Sequence, residues 1–156
     1  NDIVEKPLAI NDAMIKNHNI TVVKNLDEDV SIYNLSYGLL QALVNIIHNT
    51  KDVLRHSDSK DKFIFVSTAN KDNAIELTIT DTGGGISEDI IGKIFEPYFT
   101  TKQKTHGTGL GLHMAHNIIK QNMNGMIVAT TKKFKYNDED YIGASFTIVL
   151  DRTEKK

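Results

Sequence analysis

Asn73-Ala74-Ile75-Glu76-Leu77-Thr78-Ile79-Thr80-Asp81-Thr82-Gly83-Gly84-Gly85-Ile86 is the stretch on which the fold turns. Ile75, Leu77 and Ile79 alternate, so residues 73–80 read as a strand with one buried face. The period of two puts Asp81 on that same inward face. A carboxylate there is costly unless hydrogen bonds are donated to it. Three consecutive glycines then leave no side chain where backbone would meet a ligand. A second glycine-rich turn, Gly107-Thr108-Gly109-Leu110-Gly111-Leu112, opens into a helix. An inward acid with two glycine turns predicts a nucleotide pocket, the acid reading a base and backbone amides meeting phosphates.

Outward from this stretch, the helix predicted over 36–55 carries Leu39, Leu40, Leu43, Val44, Ile46, Ile47, Val53 and Leu54 on one arc. Gln41, Asn45, His48, Asn49 and Asp52 gather opposite. Solvated helix faces favour Glu and Lys, and asparagine is a poor helix former. Asn45 and Asn49, one turn apart, are therefore placed for ligation, whereas His48 and Asp52 are expected to be exposed. Residues 62–68 read as a strand apolar on both faces, joined to 73–80 by a tight turn over 70–73. Ser87-Glu88-Asp89-Ile90 starts a helix expected to reach Phe95, and residues 110–123 form a second strong helix burying Leu112, Ala115, Ile118 and Ile119.

At the flanks, residues 11–17 suggest a short helix, 21–24 a strand and 30–33 another short one. Residues 126–130 form a strand, 132–141 a charged hairpin tip, and 144–150 a strand that closes the sheet with Phe146, Ile148 and Leu150 on one face. Hairpins mixed with helices give an α+β layer rather than a regular βαβ winding. Gly92-Lys93-Ile94 fails as a Walker A loop, and Gly107-x-Gly109-x-Gly111 lacks the dinucleotide spacing.

The chain has 156 residues, enough for one domain with a substantial core. A net charge of −2 offers no basic footprint for nucleic acid. It has no cysteine, which excludes disulfides and thiolate-bound metals. No apolar run approaches the roughly 20 residues that span a bilayer, and no secretory signal is evident. The chain starts at Asn1 without an initiator methionine, so we read it as a piece of a longer protein.

Four motifs together resemble the N box, first glycine box, F box and second glycine box of bacterial sensor histidine kinases. They are Asn45-x-x-x-Asn49, Asp81-x-Gly83-x-Gly85, Phe95-Glu96-Pro97-Tyr98-Phe99-Thr100-Thr101-Lys102 and Gly107–Leu112. Their order and separations match as well, and the resemblance covers about residues 20–150. The Phe99–Lys102 form and Asn49-x-x-Asp52 look most like the nitrogen-regulator-type and hybrid branch. The resemblance implies a catalytic ATP-binding domain of the Bergerat fold over 20–150. This would be a two-layer α/β sandwich, a mixed sheet of about five strands with three helices on one face. Residues 1–19 would be a leader and 151–156 a tail. A lid over about 84–107 would cover the nucleotide, and its residues 97–107 are expected to be mobile without nucleotide and partly ordered with it.

By the same resemblance Asp81 accepts the adenine amine, and Gly85 permits close approach of the base, with Gly83 and Ile86 lining the site. Asn49 holds Mg²⁺ and Asn45 assists through water or metal. Lys102 reaches the terminal phosphate of ATP, and Thr108, Gly109, Leu110, Gly111 and Leu112 face the phosphate chain. Thr100 and Thr101 either touch phosphate or hold the lid, and Phe95 and Phe99 pack the lid. Two departures stand out. Ala144, after Gly143, replaces a hydroxyl residue that supports the base site, so a water or backbone group must substitute. The phosphoacceptor box is missing, because none of the six histidines is followed by Asp or Glu. The implied partners are a phosphoacceptor dimerisation hairpin elsewhere in the same protein and a downstream response regulator. Neither nucleic acid nor membrane contact is implied, and the domain would be cytoplasmic whether or not its parent is membrane-anchored. The alternatives are an ATP-driven clamp of the gyrase, chaperone or mismatch-repair kind, and an anti-sigma serine kinase or binding-only module.

Overall fold

A computed structural model of the chain describes residues 7–11, 16, 19–27, 37–57, 61–99 and 110–151. The expected helix over 11–17 and strand over 30–33 fall largely or wholly outside these residues, as does the tail. Five strands form one mixed sheet in the order β1-β2-β3-β5-β4: β1 (Ile20–Asn25), β2 (Lys62–Lys71), β3 (Ala74–Asp81), β4 (Met126–Tyr136) and β5 (Glu139–Asp151). β1 runs parallel to β2, with Ile20 opposite Lys62, and the other pairings are antiparallel. The expected strand over 144–150 does not close the sheet. β5 lies inside it, and β4 forms the edge.

Among the described residues, α1 (Tyr37–Arg55) and α3 (Gly111–Asn117) pack on the sheet, while the four-residue α2 (Glu88–Ile91) buries no side chain and residues 7–10 form one further helical turn. The layers meet because α1 buries Leu39, Leu43, Ile46, Ile47 and Leu54 every third or fourth residue. The sheet answers with Ile64, Val66, Leu77, Ile79, Phe146 and Ile148, and α3 adds Ala115. The resulting architecture is the two-layer α+β sandwich expected.

The polar side of α1 departs from expectation. His48 is exposed, but Asp52 is 6% exposed and Lys51 only 1%. Lys51 Nζ reaches Asn11 Oδ1 (3.4 Å) and His48 Nδ1 (3.1 Å), so residues 7–11 cover this part of the helix. Asn11 is itself buried and donates to the Pro7 carbonyl (3.1 Å).

α2 is shorter than the helix expected to reach Phe95. Ser87 caps it by accepting from the Asp89 amide, and successive three-residue turns follow: Lys93 N to Ile90 O (2.8 Å), then Glu96 N to Lys93 O (3.0 Å). α3 also ends early, and residues Ile118–Asn122 continue it as a π turn. The wider turn directs the Gly125 amide to the Ile119 carbonyl (2.8 Å). Gly125 thereby lies against β5, where a Cβ would meet the Val149 carbonyl at 2.8 Å.

Residues 132–141 are strand rather than a charged tip. The reversal is confined to Asn137-Asp138, with φ of 49° and 65°, the left-handed pair that a two-residue hairpin turn needs. This long hairpin runs past the end of β3 and bends over the outer face of the sheet. There Phe65 meets Phe134 (5.3 Å between centroids) and Tyr136 (4.9 Å), and Phe63 meets Tyr136 (5.2 Å) and Tyr141 (5.9 Å). This second apolar cluster explains why β2 is apolar on both faces. Phe65 is half-buried, so Phe65→Ala is expected to cost about 2 kcal/mol, below the range for a fully buried aromatic. Urea denaturation checks this, and a loss under about 0.5 kcal/mol would deny the cluster an anchoring role.

Candidate functional site

The inward parity of β3 delivers Asp81 to the edge of the core at 1% exposure. Its Oδ1 accepts from two backbone amides, Gly83 N at 2.9 Å and Ala144 N at 3.0 Å. Its Oδ2 is buried with no hydrogen-bond partner. Burial raises the Asp81 pKa above the ordinary carboxylate range, and the two amides oppose that rise. One oxygen is thus fixed by the protein, while the other remains an acceptor for a donor that the described residues do not supply. An exocyclic amine of a base is such a donor.

Gly143 makes this arrangement possible. A Cβ there would meet the Asp81 carbonyl oxygen at 1.6 Å, so only glycine lets β5 close on the end of β3. The Ala144 amide then performs the supporting role that its methyl side chain cannot. Beside it, Thr82 Oγ1 donates to the Asp61 carbonyl (3.1 Å) and accepts from the Phe63 amide (3.1 Å), tying the chain down just past the acid.

The glycine run is mostly consumed by the protein itself. A Cβ at Gly83 would strike Val53 Cγ1 of α1 (2.7 Å), and one at Gly85 would strike Thr131 Cγ2 of β4 (2.5 Å). Gly84 and Gly85 have φ of 98° and 85°, a conformation that favours glycine. The Gly84 amide donates to the Ile142 carbonyl (2.9 Å) and the Ile86 amide to Thr131 Oγ1 (2.9 Å). With the amides of Gly83, Gly84 and Ile86 all engaged internally, this turn shapes a wall and does not act as an anion cradle.

On α1, Asn45 and Asn49 are half-buried and one turn apart. Asn45 Oδ1 accepts from Gln41 Nε2 (3.0 Å), leaving Asn45 Nδ2 buried without a partner. Turning both amides end for end keeps that bond and presents the oxygen instead. The pair can therefore face either a phosphate oxygen or a cation.

The pattern of the family described as histidine kinase-, DNA gyrase B- and HSP90-like ATPase matches residues 34–154, most of the chain. The chain belongs to this family. Within it, this ATPase domain is of the sensor histidine kinase catalytic type. It is 30% identical to the signal transduction histidine-protein kinase AtoS of Escherichia coli over 96% of its own length and 23% of that protein. The catalytic domain of histidine kinase ThkA, in a nucleotide-free form, superposes with a TM-score of 0.78 at 23% identity, over 97% of this chain and 91% of that one. ThkA solved in complex with the response regulator protein TrrA aligns with a TM-score of 0.71 at 18% identity, over 98% and 40% of the two chains. The domain spans between 7% and 23% of the length of the first curated relatives it matches. ATP binding is the property of the family. Among the described residues, no helix is long and apolar enough to cross a membrane.

Other expected site residues border the core or the start of α3. Ile86 and Leu112 are half-buried and pack against the core, as do Phe95 and Phe99. Leu110 caps α3 with helical backbone, and Gly111 has open space where a Cβ would be. Lys102, Thr108 and Gly109, with Thr100, Thr101 and most of the expected lid, lie outside the described residues.

Two histidines were given no role by the sequence. His113 Nδ1 donates to the Phe95 carbonyl (3.0 Å), and its Nε2 lies 3.1 Å from Asn117 Nδ2. His116 stacks on the Phe95 ring (5.0 Å, 28°). Burial chiefly, then the neighbouring Lys120 and His113, lowers the His116 pKa. Together they clamp the F-box phenylalanine to α3. Two histidines three residues apart at the start of a helix were the available signal.

Proposed function

We propose that this domain binds Mg²⁺-ATP and passes the terminal phosphoryl group to a histidine on a separate helical hairpin of its parent protein. The observation that carries the base-reading part is Asp81, with Oδ1 held by two amides and Oδ2 left as a buried acceptor. Asp81 would take the adenine amine on Oδ2, against the wall made by Gly83, Gly85 and Ile86. Asn49, with Asn45 beside it, would hold Mg²⁺, and the amide pair with Gln41 suits that task or a phosphate oxygen equally. The metal, when bound, would neutralise charge on the phosphates. Lys102 would meet the terminal phosphate, and the amides from Thr108 to Leu112 the phosphate chain. We assign residues 20–150 to this domain, 1–19 to a leader from the phosphoacceptor hairpin and 151–156 to a tail. Downstream, a response regulator would take the phosphoryl group, a partnership for which the ThkA complex offers a fold-level parallel. The domain would work in the cytoplasm without touching membrane or nucleic acid.

Asn45 favours transfer over hydrolysis. An ATP-driven clamp needs a base toward an attacking water, and a carboxamide cannot take a proton at neutral pH. The 156-residue chain alone is therefore expected to turn over ATP very slowly and to leave itself unlabelled. Adding the helical hairpin of the parent protein, linked or in trans, should produce acid-labile phosphohistidine on that hairpin. Rapid steady-state hydrolysis by the chain alone would favour the clamp. Stable phosphoserine on a partner would favour the anti-sigma kinase.

A further inference from the structure

Thr131 belongs to none of the four boxes, yet its hydroxyl grips the end of the first of the two glycine turns from both sides. Its Oγ1 accepts from the Ile86 amide (2.9 Å) and donates to the Ile86 carbonyl (2.8 Å). Its methyl, Cγ2, occupies the space that a Cβ on Gly85 would need. Beside it on β5, the Ile142 carbonyl takes the Gly84 amide (2.9 Å). We propose that Thr131 is a positioning residue for the nucleotide, a latch that holds Gly84–Ile86 against the β4–β5 hairpin and so presets the base wall and the start of the lid.

The physical case begins with the glycines. Gly84 and Gly85, both at positive φ, lose more conformational freedom on ordering than any other pair of residues would. Left untied, the turn would have to be ordered by the ligand, and that cost would appear as lost affinity. The latch makes the ordering a property of the free protein. It acts on a rigid support, because the hairpin is itself pinned to β2 through Phe63, Phe65, Phe134, Tyr136 and Tyr141. Tyr141 OH adds a hydrogen bond to Asp61 Oδ2 (3.2 Å). Ile86 immediately precedes Ser87, the cap of α2, so the same latch sets where the chain leaves the sheet. Edge strand β4, which carries no expected ligand contact, thereby becomes part of the nucleotide site at one remove.

The inference rests on the nucleotide-binding reading, and its test separates the two. Thr131→Val keeps the methyl against Gly85 and removes both hydrogen bonds. Thr131→Ser keeps the bonds and removes the methyl. Calorimetry with Mg²⁺ and the β,γ-imido analogue of ATP should show Thr131→Val binding roughly tenfold more weakly, the scale of two neutral hydrogen bonds. Thr131→Ser should bind within about twofold of the native chain on the same reasoning. With the phosphoacceptor hairpin supplied, the loss should fall on KM for ATP while kcat stays near native. In the ligand-free protein, the Ile86 amide should exchange faster in Thr131→Val and not in Thr131→Ser. Native affinity in Thr131→Val overturns the proposal. Equal weakening in both variants also overturns it, since the two hydrogen bonds would then matter no more than any other change of packing at this position. If the native chain fails to bind the analogue, the nucleotide reading falls, and native exchange at Ile86 in Thr131→Val would then overturn the latch separately.

Discussion

Replacing Gly143 with alanine is expected to destabilise the domain by at least about 3 kcal/mol, the upper end of what overpacking usually costs. The new methyl would lie 1.6 Å from the Asp81 carbonyl oxygen and 2.5 Å from its carbonyl carbon. Both are backbone atoms, so no rotamer change relieves the contact. Relief requires β5 to withdraw from β3 beside the Thr80–Ser145 pairing. Withdrawal would take the Ala144 amide away from Asp81 Oδ1, so nucleotide binding should fall with stability. For a chain of this length the loss corresponds to a fall in Tm of about 6–12 °C. Gly92→Ala is the control. Its φ of −73° suits alanine and its Cβ would meet nothing within 4 Å. A Gly143→Ala protein that melts with the control would contradict the close approach of β5 to Asp81.

Asp81→Asn should separate binding from folding. The amides of Gly83 and Ala144 both need an acceptor at Oδ1, which forces the asparagine oxygen inward and its amine to the Oδ2 position. A donor would then face the adenine amine. Losing a charge-assisted hydrogen bond costs about 1.5–3 kcal/mol, roughly ten- to hundredfold in affinity. The stability change should have the opposite sign or be nil. Burial raises the Asp81 pKa in the folded state, so its contribution is full below the unfolded pKa and is lost as pH rises through the folded one. At neutral pH the ionised group therefore opposes folding, and the amide removes that opposition. The same shift makes ATP affinity fall on acidification, beginning at a higher pH than an ordinary carboxylate would give. Calorimetry against ATP and GTP, with melting curves at several pH values, measures all of this. Equal affinity for GTP, or native ATP affinity in Asp81→Asn, would remove Asp81 from base recognition.

Local period carried much of the fold. Ile75, Leu77 and Ile79 announced β3 and, by parity alone, the inward acid at its end. Leu39, Leu43, Ile46 and Ile47 announced α1. What escaped depends on residues distant in the chain. Asp52 looks solvated on a helical wheel yet is buried, and nothing within α1 shows that Asn11 meets the Nζ of buried Lys51. The lysines at 132, 133 and 135 suggested a loose tip. Their strand is held by aromatic partners at 63 and 65, which no short window contains. α2 stops near Gly92 although Ile94 and Phe95 extend its apolar pattern, since those side chains reach the core through tight turns. At the site, Asp81 and the asparagines were legible as residue types. The engagement of the first glycine turn with Thr131 was not, because it joins segments 45 residues apart.

The sheet has one seam unlike the others. β1 is an edge strand and the parallel member, paired with β2 across a crossover that contains α1. The remaining strands form antiparallel pairs, two of them joined by tight turns. Closing the crossover costs more chain entropy than closing either hairpin, so β1 is the natural place for the sheet to open locally. None of the groups that orient Asp81 lies there, for its two donors belong to Gly83 and Ala144. An opening confined to β1 would therefore leave both donors to the acid in place.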